Sequence, residues 1–412
     1  MQTRPQLRIL TLMLLLLGCS PSDSVNTPQQ FALDCSLVVV NSDYMSSNIS
    51  LLNMDGSLCR ESLIHSGSAD PGLAAALSGD TVLATEPSPD GLVVLVDRYP
   101  NGTLTYLDPA NGNVIRQINV STGFAANPKD VLHWTSEKAY VTRAERNPTP
   151  TPESEDFDEG ADILIIQPTS GDIVQRIALD AEETSIEGES LTPRPGQMAR
   201  VGDQFWVVLA NLSADFTRAG PGLVYRIDPN TDTVAQRIAF PALANCLGLR
   251  VTPDGDGLWG VCTGVFASQD QSQTSRSGIF YLGTLNPEPV EQWSITADLL
   301  ANRPLAFDIA PIDSHRAVVV SLGQLNPTPL PDQLLLIDRS TETAMDLGIY
   351  SAAYQLGGLA WSSESEVLFV ADGDVQRPTL LRVDPTASQN FLGRTVSNPS
   401  IGLPPRSLAI LK

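Results

Sequence analysis

Short apolar runs separated by polar turns fill the chain from about residue 36 to its end, and most runs are too short for ordinary helices. Seven segments share one pattern, an apolar strand entering a polar turn, as in Leu104-Thr-Tyr-Leu-Asp-Pro-Ala-Asn-Gly, Leu223-Val-Tyr-Arg-Ile-Asp-Pro-Asn and Leu380-Leu-Arg-Val-Asp-Pro-Thr. The residues that open these turns, Asn53, Asp108, Gln167, Asp228, Asn286, Asp338 and Asp384, recur every 46 to 61 residues. Such side chains hydrogen-bond the backbone two residues on, and a following Pro or Gly fixes the turn. A further strand follows each turn, such as Val114-Ile-Arg-Gln-Ile-Asn-Val, and a hairpin precedes each pair, closing for example at Pro89-Asp90-Gly91. Four strands per repeat in seven repeats predict an all-β fold, a seven-bladed β-propeller of four-stranded antiparallel blades.

The two ends of the pattern are incomplete in complementary ways. The first repeat begins at Leu37-Val-Val-Val-Asn with no innermost strand before it, whereas the chain ends in Pro405-Arg-Ser-Leu-Ala-Ile-Leu-Lys412, which matches innermost strands elsewhere. The C-terminal strand is therefore expected to close the first blade, leaving no open sheet edge.

Ahead of the repeats lies a segment of different character. Arg4 and Arg8 precede the apolar run Ile9 to Leu17, which falls short of the roughly 18 residues of a membrane-spanning helix and reads as the core of a signal peptide. Leu16-Leu17-Gly18-Cys19 resembles the bacterial lipobox, and the resemblance implies cleavage before Cys19 and attachment of a diacylglycerol to its thiol. Residues 20–30 are rich in Ser, Pro, Asn, Asp and Gln without hydrophobic period, as in a flexible tether. The expected organisation is a signal peptide over 1–18, a lipid anchor and tether over 19–30, and a propeller over 31–412.

With Cys19 set aside, Cys35, Cys59, Cys246 and Cys262 remain, an even number suited to an oxidising compartment. Cys246 and Cys262 lie eight residues either side of Asp254 in a predicted hairpin, which places them opposite one another. The favoured pairs are Cys246 with Cys262 and Cys35 with Cys59. A four-cysteine zinc site is the alternative, weakened by the lack of any close CxxC pair.

Across the repeats, the hairpin closing in Thr-Pro-Asp-Gly, the strand ending in Asp-Pro and the strand carrying Arg-Ile are similar to the bacterial YVTN and YncE-like propellers and, more loosely, to the lactonase-like family. The resemblance covers about residues 36 to 412. It implies a fold more than a reaction.

Loop lengths sort by face. First and third turns of each repeat are tight, whereas second turns and crossings include the long stretches 66–80, 146–160, 180–192, 212–222 and 267–277. Long loops on a rigid scaffold commonly carry binding, although tolerated insertions would look the same. Innermost strands start at that face, several with a proline beside a cation: Pro128-Lys129, Arg194-Pro195, Arg303-Pro304 and Pro405-Arg406. Lys129, Arg194, Arg303 and Arg406 are therefore candidate ligand-binding residues that could ring the channel mouth and hold a carboxylate or phosphate. The competing reading has each cation tying down a loop carbonyl or nearby acid. An insert at 148–162, proline-rich then acidic, reads as a solvated loop, and its spacing fits no EF-hand.

With 47 acids against 25 bases, the formal charge of −22 argues against nucleic acid or anionic lipid as a non-specific partner. Three histidines and the absence of GxSxG, HExxH and CxxCH leave no catalytic residue, metal or cofactor to assign. The expectation is a non-catalytic binding module, lipid-anchored at the bacterial cell envelope, outer membrane by the residue after the lipobox cysteine. Its ligand, a protein, glycan or small molecule, would meet the long-loop face. Against it stand a lactonase-like hydrolase with its site at the channel mouth, and a protein that simply assembles with other envelope components.

Overall fold

A computed structural model describes residues 35–151, 157–180, 185–186, 188–265, 275–285, 289–300 and 303–411. The expected signal peptide, Cys19, the expected tether and Asn286 lie outside these residues. The chain from Leu33 onward forms one compact unit. It contains seven four-stranded antiparallel sheets, numbered here as blades: 37–65 completed by 405–410 (blade 1), 81–119 (blade 2), 128–178 (blade 3), 195–240 (blade 4), 246–296 (blade 5), 305–351 (blade 6) and 356–395 (blade 7).

The apolar runs are continuous because the middle strands of each blade are covered on both faces. Leu37–Ser42 and Ser47–Leu52 are buried at every position, while the outermost strand Val114–Asn119 buries only Val114 and Ile118. Among the described residues the buried apolar side chains do not form a single central core. Instead seven apolar clusters each fill the gap between two neighbouring blades; Leu37, Val39 and Leu408 pack on Phe369 and Leu380 where blade 7 meets blade 1. Each fully buried Leu, Val or Phe contributes about 1.5–3 kcal/mol.

Ring closure occurs as the ends of the sequence predict. The C-terminal strand Pro405–Ile410 pairs antiparallel with Leu37–Ser42 as the innermost strand of blade 1. The predicted Asx turns also form: Asp108, Asp228, Asp338 and Asp384 each accept the backbone N–H two residues on, at 2.8 to 2.9 Å. Disulfides join Cys35 to Cys59 and Cys246 to Cys262, and the second pair sits directly opposite across its hairpin.

Two loop expectations change. Stretches 180–192 and 212–222 are not wholly irregular, since Glu189–Thr192 pairs with Ser185–Ile186 on one side and Leu212–Ser213 on the other in a small extra sheet. Nor is the acidic insert simply solvated. Asp162 is fully buried, and Asp158 is buried as it accepts the Thr151 N–H at 2.9 Å. Residues 152–156 of that insert lie outside the described residues.

Candidate functional site

The innermost strands surround a central cavity of 1020 Å³, lined by residues from all seven blades. Six of these strands carry a register shift near their start, where the backbone bulges out of the ladder with the strand behind it. In blades 1 and 3 the bulged residue is the one after a proline, which brings Arg406 and Lys129 to the wall.

Next to the bulge comes a polar belt that joins blades. Asp130 of blade 3 accepts the Met198 N–H of blade 4 at 2.8 Å, Gln197 of blade 4 accepts the Leu249 N–H of blade 5 at 2.9 Å, and Asp308 of blade 6 accepts the Leu359 N–H of blade 7 at 2.9 Å. Ser407 Oγ of blade 1 likewise accepts the Leu83 N–H of blade 2 at 3.3 Å. In blades 4, 5 and 7 the accepting side chain comes from the blade before and the amide lies just past the bulge, whereas blade 2 has no bulge and its Leu83 amide is met by blade 1. In each case a neighbouring side chain satisfies the amide. Asp130 also takes the Thr85 and Val131 N–H groups, and burial raises its pKa in spite of those bonds.

Arg250 crosses the channel. From blade 5 it pairs with Asp308 at 2.8 Å, donates to Gln197 Oε1 at 2.7 Å, and reaches Thr85 Oγ1 of blade 2 at 3.4 Å. This residue escapes a search for prolines beside cations. Its signal in the sequence is a charge within the inner strand Cys246–Val251, between Leu249 and Val251.

The four cations singled out from sequence divide two and two. Lys129 and Arg406 line the cavity. Lys129 donates to Asn127 Oδ1 at 3.0 Å, and its ammonium is pushed down to about 7, first by burial and then by Arg98 and Arg194, with Asp80 and Glu145 opposing. Arg406 donates through Nε to the Ser42 carbonyl at 3.2 Å and lies 5.0 Å from the Tyr44 ring. Arg194 and Arg303 are not on the wall. Arg194 is buried behind it, paired with Glu145 at 2.5 Å and stacked on Phe216, and Arg303 holds the Pro331 carbonyl and Gln333 Oε1 at 2.8 Å each. Their physical difference is position: a cation before the proline belongs to the crossing loop, and one after it belongs to the bulge.

Arg98, missed in sequence, completes the mouth beside its partner Asp80. The whole cavity has five cations on its wall, Arg98, Lys129, Arg200, Arg250 and Arg406, against the three carboxylates Asp80, Glu86 and Asp308. That balance opposes the chain's overall charge. His133, by contrast, is a core residue: it contacts the Tyr106 hydroxyl at 3.0 Å, and burial lowers its pKa to about 4. Among the described residues no cluster of three or more His, Cys, Asp or Glu side chains could hold a metal ion.

The long-loop face also differs in texture. Exposed large apolar side chains borne on loops, among them Tyr44, Met45, Tyr99, Leu325, Tyr354 and Val375, all lie there, and among the described residues none sits in the tight turns opposite.

No protein-family model and no curated protein matches the sequence. Solved structures match in fold. A periplasmic gluconolactonase of Pseudomonas aeruginosa is 14% identical, with 92% of this chain and 99% of that one covered at a TM-score of 0.56. A Lactobacillus plantarum protein gives 12%, 92% and 99% at 0.58, and Kuenenia stuttgartiensis hydrazine synthase gives 12%, 80% and 90% at 0.53. At such identities the likeness extends to the propeller fold alone.

Proposed function

We propose that this protein is a lipid-anchored envelope propeller that binds a small anionic ligand at the long-loop mouth of its channel without transforming it. The observation that carries the reading is the excess of cations on the channel wall of a chain with net charge −22, with Lys129 and Arg406 brought there by inner-strand bulges. The channel volume of 1020 Å³ is at the upper end for small-molecule sites.

A hydrolase at the same place is supported by the meeting of Arg250 and Asp308 inside the channel and by the raised pKa of Asp130. Against it, these carboxylates already accept backbone amides or a guanidinium from neighbouring blades, so neither is poised to activate water. Binding is the better-supported reading.

Acetate and inorganic phosphate should each raise the melting temperature of the full chain saturably. The shift should grow as pH falls from 8.5 to 6, because Lys129 gains its charge on passing down through about 7 while the ligand stays anionic. Lys129→Met should remove the pH dependence, and Lys129→Met/Arg406→Met the shift itself. In the same preparation gluconolactone should open no faster than in buffer. A pH-independent shift that survives in the double variant, or lactone turnover abolished by Arg250→Met, would reject this reading.

The anchor rests on the lipobox resemblance at Cys19 and on the two disulfides, which suit an oxidising compartment. Cys35 enters blade 1 at the tight-turn face, because Leu37–Ser42 runs from there toward Tyr44 at the mouth. The binding face would then look away from the membrane. Bacteria expressing the protein with labelled palmitate should yield a labelled band, and Cys19→Ala should abolish it.

A further inference from the structure

The mouth of the channel is chemically split by blade. Its charged lining comes from consecutive blades: Arg406 on blade 1, Asp80 and Arg98 on blade 2 and Lys129 on blade 3. Round the rest of the ring, blades 4 to 7 and the crossing into blade 7 present no charge at that level. Blade 4 contributes Gly196 at its bulge, blade 5 Leu247, blade 6 Phe307, and the crossing Tyr354. Phe307 is 47% exposed despite sitting in an innermost strand, where the apolar residues packed between blades are almost fully covered. An apolar ring facing a cavity and left accessible to water is a place where ligand surface gains by burial.

Resting on the anion-binding reading above, we infer that the mouth selects an amphipathic monocarboxylate, with its head at Lys129 and Arg406 and an aromatic or branched aliphatic body against Phe307, Leu247 and Tyr354. A polyhydroxylated acid fits less well, since its hydroxyls would be desolvated against that wall without acceptors. Tyr44 belongs with the head side, as its ring lies against Arg406 rather than across the channel.

The test is calorimetric titration of the full chain with phenylacetate, acetate, gluconate and 2-phenylethanol, on the wild type, Phe307→Ala, Phe307→Leu and Lys129→Met. Phenylacetate should bind at least tenfold tighter than acetate or gluconate. Phe307→Ala should bring phenylacetate down toward acetate without weakening acetate, Phe307→Leu should retain most of the preference, and Lys129→Met should weaken both acids. Acetate and gluconate binding as tightly as phenylacetate, still dependent on Lys129, would overturn the amphipathic selection and leave anion binding standing. Equal affinity for 2-phenylethanol and phenylacetate, untouched by Lys129→Met, would overturn the anionic reading as well, as would no heat with any of the four.

Discussion

A chain ending at Pro404 should show no cooperative unfolding transition and should be cut by protease throughout its length. The missing strand holds three blades at once. Its backbone pairs with Leu37 to Asn41, Leu408 fills the cluster between blades 7 and 1, and Ser407 Oγ accepts the Leu83 amide of blade 2. Its loss opens the ring and leaves a long, buried, apolar strand as a sheet edge, the feature natural sheets avoid most. The defect is one of connectivity as much as contact area. A circular permutant that joins residue 411 to residue 36 and opens within the insert at 152–156 should therefore fold, because the Leu411 N–H already bonds the Ser36 carbonyl at 2.7 Å. Circular dichroism melts of the two proteins decide the matter, and a truncated chain that melts like the full one would refute the closure argument.

Arg143→Met should lower the unfolding free energy by about 3–5 kcal/mol, read as a fall in the urea midpoint. Arg143 and Asp162 are both fully buried inside blade 3, joined by two bonds of 2.7 and 2.8 Å. Arg143 also donates to Thr122 Oγ1 at 2.6 Å and to the Phe157 carbonyl at 2.7 Å, so it ties the long insert to the crossing that leads into blade 3. Removing it strands a carboxylate and weakens the pairing of the Val120 and Phe157 carbonyls away from water. Arg176, which also reaches Asp162 at 3.0 Å, softens the loss and places the expected value toward the lower end. Replacing both members, Arg143→Met with Asp162→Leu, should recover part of the stability, since the unpaired charge then disappears. A double variant no more stable than the single one would show that the lost bonds to Thr122 and Phe157, and not the stranded carboxylate, account for the fall.

The architecture was legible because a propeller writes itself twice. Both faces of each middle strand are covered, so Leu334 to Ile337 is apolar without alternation and Leu104 to Leu107 breaks the run only at Thr105, and Asp108 and Asp338 punctuate them through Asx turns. Cys246 and Cys262 were readable from a single hairpin turn at Asp254, whose carboxylate takes the Asp256 N–H at 3.2 Å. The site was half legible. A cation beside a proline marks the start of an inner strand, but whether it enters the channel depends on the register with the strand behind it, a relation between residues such as Ser407 and Val40 that no local pattern encodes. Arg98 was hidden for a different reason: it follows a second strand, and only the ring geometry brings that strand's end to the mouth. The insert at 148–162 misled because its acids were read as one group, whereas Asp162 belongs to the core of blade 3 through a partner 19 residues earlier in sequence.

Under the proposed lipid anchor, the disulfide between Cys35 and Cys59 takes on a mechanical meaning. A pull along the tether arrives at Cys35, immediately before Leu37–Ser42, and would by itself work that strand loose one hydrogen bond at a time. The covalent bond passes part of the load to the outermost strand Leu58–His65, which runs in the same direction. Two strands must then slide together against the strand between them, with many bonds strained in parallel instead of in succession. Forced unfolding is governed by the unfolding rate, and sharing the load in this way raises the force needed before the first blade gives.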